Sequence, residues 1–199
     1  YGSLALTGLG HCTDRGILLG LEGHDPSGFD PAVMEPTLAR IRGGRSWLLV
    51  SVQALNRFYD RDNNVIASWM TRQDRELAIA DNIAYVASVV AAVRRDHPAA
   101  AGLVYAGFSQ GVAMAYRATG FAGPASGAIL LAGDVPPDVV PVASTLPPLL
   151  IGRGTTDHWY TAKKAAADFE VLGRAGTPFT EHVFEGGHVW GPSFTAPPG

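Results

Sequence analysis

Ser109 has the clearest chemical setting in the chain. It stands in Gly107-Phe108-Ser109-Gln110-Gly111, after the apolar run Leu103-Val104-Tyr105-Ala106 and ahead of the helical run Val112-Ala113-Met114-Ala115-Tyr116-Arg117. A serine between a strand and a helix, with glycine two residues away on each side, can occupy a sharp turn that lifts its hydroxyl above a sheet. The free N–H groups of the helix start then lie ready for a developing oxyanion. A neutral hydroxyl is a weak nucleophile, so it needs a base, and the base needs an orienting acid. Asp157 and His188 follow in that order. Asp157 ends Gly152-Arg153-Gly154-Thr155-Thr156-Asp157, just past an apolar run, and His188 ends Glu185-Gly186-Gly187-His188. Acids at the carboxyl ends of parallel strands are where open α/β sheets build sites. Taken alone, Asp157 also suits a turn or cap, and His188 a surface loop. His158 and His182 compete for the role of base. His158 adjoins Asp157 and would point another way, and His182 falls inside a strand.

The elements that must position these residues alternate along the chain. Short apolar runs at 4–9, 16–21, 47–52, 103–106, 127–131, 149–152 and 182–184 read as strands. Most are continuous rather than alternating, which suits strands covered on both faces. Helical patterns lie between them. The clearest spans about 74–95, with Leu77, Ala80, Ile83, Val86, Ala87, Val90 and Val93 on one stripe. Asp96-His97-Pro98 stops it, because the residue before a proline avoids the α region. Shorter helices are expected at 31–41, 110–119 and 162–172, the last with Gly173 as its stop. Residues 56–71 read as a polar, irregular loop. The alternation argues for one α/β domain over 1–199 with a mostly parallel sheet.

In combination, Gly107-Phe108-Ser109-Gln110-Gly111, Asp157 and Gly187-His188 resemble the carboxylesterase, phospholipase and acyl-protein thioesterase branch of the α/β-hydrolases. Ala67-Ser68-Trp69, Asp81-Asn82 and Leu130-Leu131-Ala132-Gly133 extend the resemblance across most of 16–191. It implies a three-layer α/β-hydrolase fold, with helices on both faces of the sheet and no large cap domain. It also implies serine-based hydrolysis of carboxylic esters through an acyl-serine, with no metal and no cofactor. Thioesterase and lysophospholipase activities are the alternatives within that branch. One element departs from the pattern. The branch's oxyanion loop usually reads Leu-His-Gly, whereas this chain has Leu19-Gly20-Leu21-Glu22-Gly23-His24. The expected oxyanion donors are the backbone N–H groups of Gln110 and His24. Phe58, Tyr59, Trp69, Trp159 and Trp190 fall on loops near the active face and are candidates for an apolar substrate pocket.

Composition narrows the classes. The net charge of −3, with 17% charged residues, gives no basic footprint for nucleic acid. The expected partner is a small-molecule ester, and a homodimer stays open. Cys12 is the one cysteine, which excludes an intrachain disulfide and a multi-cysteine metal site. No run of about 18 uninterrupted apolar residues occurs, so no transmembrane helix is expected. No signal peptide is visible, and a cytoplasmic home is the simplest. The start at Tyr1 leaves secretion after removal of a leader open. A nicotinamide enzyme is a rival, from Gly8-Leu9-Gly10 and the Tyr160 to Lys164 spacing. The glycine fingerprint fails at Thr13 and Cys12. Metal hydrolysis lacks H-E-x-x-H or paired-cysteine spacing. A non-catalytic scaffold of the same fold is the rival of another class.

Overall fold

The computed structural model describes residues 48, 50–98 and 102–190. The expected strands at 4–9 and 16–21, the helix at 31–41, and Cys12, Glu22 and His24 lie outside these residues.

A short antiparallel hairpin comes first, β1 (Asn56–Tyr59) and β2 (Val65–Ser68), with Tyr59 opposite Val65. It corrects the irregular loop expected there. Asp60 closes its turn, accepting the backbone N–H groups of Asp62 and Asn64, each at 2.9 Å. The strand expected at 47–52 is not one at 50–52, which run without ladder pairing.

Helix α1 (Arg75–Asp96) follows, and His97 ends it as the proline rule requires. Its stripe is only partly buried. Val86 and Asn82 are covered, whereas Leu77 at the first turn is 67% exposed. By length and composition alone α1 could cross a membrane. In this fold, however, Val86 packs with Met114 and Ala118 of the next helix.

Among the described residues the main sheet has four parallel strands in sequence order: β3 (Val104–Phe108), β4 (Gly127–Leu131), β5 (Leu149–Gly154) and β6 (Phe179–Phe184). The crossovers are α2 (Gln110–Phe121), a 3₁₀ turn (Val140–Thr145) and α3 (Ala162–Ala175). Alternate strand residues divide between two faces. Ala128, Leu130, Leu149 and Ile151 meet Val112 and Tyr116 of α2 and Ala165 and Leu172 of α3. Phe108, Ile129, Leu131 and Leu150 line the other face, with Trp190 against them. Leu130 is fully buried, so its truncation to Ala costs about 2–5 kcal/mol.

Two expectations shift. Gly173 lies inside α3, which ends at Gly176 (φ 72), whose N–H reaches back to Leu172 and Gly173. Arg117, read from sequence as an ordinary helix residue, is 2% exposed. Its guanidinium holds both oxygens of Asp138 at 2.8 Å, tying α2 to the loop before the 3₁₀ turn. Hydrogen bonds from Arg117 hold the Asp138 carboxyl below the usual range.

Candidate active site

Ser109 occupies the turn between β3 and α2, at φ 54 and ψ −120. A non-glycine residue in that region costs on the order of 1–3 kcal/mol and persists only where its surroundings impose it. Here they do. The Ser109 N–H donates to Leu131 O at 3.0 Å, and Val112 N–H closes the turn on Ser109 O at 3.0 Å. Gly107 must be glycine, because a Cβ there would lie 2.4 Å from Gly111 O.

His188 reaches this turn from the loop after β6. Its Nε2 is 2.7 Å from Ser109 Oγ, and its Nδ1 is 2.9 Å from Asp157 Oδ2. The Asp157 side chain is wholly buried. Its other oxygen, Oδ1, accepts the backbone N–H groups of Trp159 (2.7 Å) and Tyr160 (2.9 Å). Burial would raise its pKa, but the hydrogen bonds from Tyr160, His188 and Trp159 outweigh that and hold it below the usual range. The loops bearing acid and base are packed on each other. A Cβ on Gly154 would fall 2.2 Å from Gly186 O, and Thr156 N–H donates to that same oxygen at 2.9 Å.

A cleft of about 170 Å³ opens over Ser109 and His188. Gln110, Ala113, Ala132, Trp159 and Lys164 are among its lining residues. Trp159 is 73% exposed, with its ring 6.4 Å from the imidazole. The other aromatic candidates lie elsewhere. Trp69 is buried against Val86 and Met114 in the core, and Phe58 is exposed on the hairpin with Tyr59. Trp190 meets Phe108 edge to face at 6.3 Å. Phe108 in turn lies 5.0 Å from the His188 ring, so Trp190 supports the site from behind. His158 is exposed, and His182 sits in β6. Tyr160 also lines the cleft, but it is 1% exposed and its hydroxyl donates to Asp168 at 3.0 Å.

The sequence pointed to Gln110 only through its N–H. Its side chain also works. Oε1 accepts the Trp69 N–H at 2.9 Å, and Nε2 donates to Ser68 Oγ at 3.0 Å. The nucleophile turn is thereby pinned to the segment leaving the hairpin. Asn82 holds the same segment, donating to Trp69 O at 2.8 Å.

No curated protein matches the chain. The family described as serine dehydratase beta chain matches residues 1–76, less than half of the chain and ahead of Ser109, Asp157 and His188. Among solved structures, the chain is similar to Arabidopsis thaliana SOBER1, with TM-score 0.50 and 20% identity over 64% of this chain and 69% of that one. It is also similar to the Bacillus cereus carboxylesterase, with TM-score 0.50 and 17% identity over 67% of this chain and 66% of that one. Both likenesses are of fold, and the parallel sheet and its crossovers agree with them: the chain adopts the α/β-hydrolase fold, with no large cap among the described residues.

Proposed function

We propose that this chain is a serine hydrolase of carboxylic esters. The observation that carries the reading is the unbroken run of hydrogen bonds from Ser109 Oγ through His188 to the buried Asp157. His188 Nε2 takes the hydroxyl proton as Oγ bonds to the ester carbonyl carbon. The same nitrogen returns the proton to the leaving alcohol as the carbon–oxygen bond breaks. Water then repeats both steps on the acyl-serine. Asp157 fixes the imidazole tautomer and stabilises the imidazolium. Gln110 begins α2, so its N–H is one of the helix's unpaired donors and suits the developing oxyanion. The N–H of His24 is the proposed second donor.

We read small or extended esters as the substrates, rather than a deeply buried chain, in keeping with a cleft of about 170 Å³. Trp159 offers the apolar surface for the acyl or alcohol part. The carboxylesterase among the structural relatives supports the same class of reaction. A fluorophosphonate probe should label the protein once, on the Ser109 peptide. Ser109→Ala should lower kcat on an aryl ester by roughly 10⁴-fold or more without loss of fold. Labelling elsewhere, or an active alanine variant, overturns the reading.

A further inference from the structure

Asp168 lies on α3, outside the cleft and outside the triad. Its Oδ2 accepts two hydrogen bonds, from Tyr160 O–H at 3.0 Å and from Val135 N–H at 3.1 Å. The two donors belong to two of the loops around the cleft. Tyr160 lies three residues past Asp157 and gives that residue its own N–H. Val135 ends the run Ala132-Gly133-Asp134-Val135, whose first three residues line the cleft. Ala132 opens this run at φ 61, a strained value for alanine, with its N–H on Gly152 O at 2.9 Å.

We propose that Asp168 is a positioning residue for the triad, its one carboxylate oxygen joining the loop that aims Asp157 to the loop that backs Ser109. The inference rests on the serine hydrolase reading for its consequence in turnover, though not for its geometry. The Tyr160 ring is 1% exposed, so it transmits the position of Asp168 to residue 160 with little freedom. An apolar side chain at 168 would pack this side of α3 without the cost of burying a carboxylate. Burial does push the Asp168 carboxyl up, and Asp134 adds to this while Lys164 opposes it. Tyr116, which is buried, is the remaining titratable group facing this cluster among the described residues.

The test uses the full chain with Asp168→Ala, Asp168→Asn and Tyr160→Phe. One readout is the far-downfield Nδ1–H proton resonance of His188 hydrogen-bonded to Asp157, which needs no turnover. The other is kcat against KM on an aryl ester. Asp168→Ala should shift or broaden the resonance and lower kcat on the order of 10- to 100-fold, with KM little changed. Asp168→Asn keeps an oxygen for both donors and should restore both readouts. Tyr160→Phe keeps the packed ring, loses one donor, and should move the resonance in the same direction. It carries the test if Asp168→Ala does not fold. An unmoved resonance in Asp168→Ala or in Tyr160→Phe, or an asparagine variant as impaired as the alanine variant, overturns the proposal. If the unaltered chain hydrolyses no ester, the hydrolase reading fails, and the resonance still decides the role of Asp168.

Discussion

Asp60 and Asp157 build nearly the same turn. Asp60 Oδ1 accepts the N–H groups two and four residues on, and Asp157 Oδ1 accepts those two and three residues on. Hydrogen bonds hold both carboxyls below their usual range. The turns differ in what the second oxygen meets. Asp60 Oδ2 takes the amide of Asn64 at 3.1 Å, so the hairpin turn is closed on itself. Asp157 Oδ2 takes the imidazole of His188, 31 residues away, and the side chain is wholly buried. Local sequence is enough to make an aspartate turn; only the long-range partner makes one useful for chemistry.

Replacing each carboxylate by its amide should separate them most. Asp157→Asn should cost on the order of 10⁴-fold in kcat, because the amide favours the wrong imidazole tautomer. Asp60→Asn should leave kcat unchanged. A fall in both, measured on one aryl ester at saturation, would mean that the hairpin couples to the site.

The parts legible in the sequence follow the same division. Ser109, Asp157 and His188 could be picked out because each stands just past an apolar run, where the ends of parallel strands gather. Strands β4 and β5 were legible for the related reason that both faces are largely covered, which leaves continuous apolar runs, and β3 kept such a run although Ala106 is exposed. The hairpin was not legible. Its strands have four residues each, and β1 exposes Arg57, Phe58 and Tyr59 alike, so no alternation of buried and exposed positions marks it. Leu77 misled, because it keeps the helical stripe but lies in a first turn that nothing among the described residues covers. Arg117 and Asp168 were invisible for the opposite reason. Their partners lie 21 residues away for Arg117, and 8 and 33 residues away for Asp168, so neither shows in a local pattern. Gln110 was half legible, as a backbone donor but not as the clamp on Ser68 and Trp69.

The packing behind Asp157 gives a second, smaller contrast. Gly154→Ala places a methyl 2.2 Å from Gly186 O, so the loop bearing His188 must move. A displacement of about 1 Å at the base should cost on the order of 100-fold in kcat. Overpacking should cost about 1–3 kcal/mol in stability besides. Gly123→Ala, on the loop after α2, meets nothing within 4 Å among the described residues, although its φ of 114 strains it. It should cost stability and leave kcat alone. Equal kcat losses would show that the Gly154 contact is not what seats His188.

Acid should sharpen the contrast in stability. The folded pKa of each aspartate is depressed, so each contributes stability above the unfolded value near 3.9, lost as pH falls through the folded value. Removing such a group removes its share of the slope. Melting temperature followed from pH 6 to 3 should therefore fall less steeply in Asp157→Asn than in the unaltered chain. Asp60→Asn should change the slope little, since solvent screens its exposed turn. A steeper change at Asp60 would reverse the ranking of the two turns.

The smallest expected effect separates two exposed aromatics, Trp159 beside Asp157 and Phe58 beside Asp60. Trp159 is the more exposed, at 73% against 40%. Its backbone N–H holds Asp157 and survives truncation of the side chain. Trp159→Ala should therefore keep the acid in place and change stability by no more than about 0.5 kcal/mol. The indole matters once substrate covers it. Covering roughly 40 Å² of apolar surface yields about 1 kcal/mol, or about fivefold in affinity. KM for an aryl ester should rise by about that factor in Trp159→Ala, with kcat nearly unchanged. Phe58 projects from β1 and is not among the residues lining the cleft, so Phe58→Ala should leave both constants alone. If Phe58→Ala raises KM as much as Trp159→Ala does, the hairpin reaches the substrate and is part of the pocket.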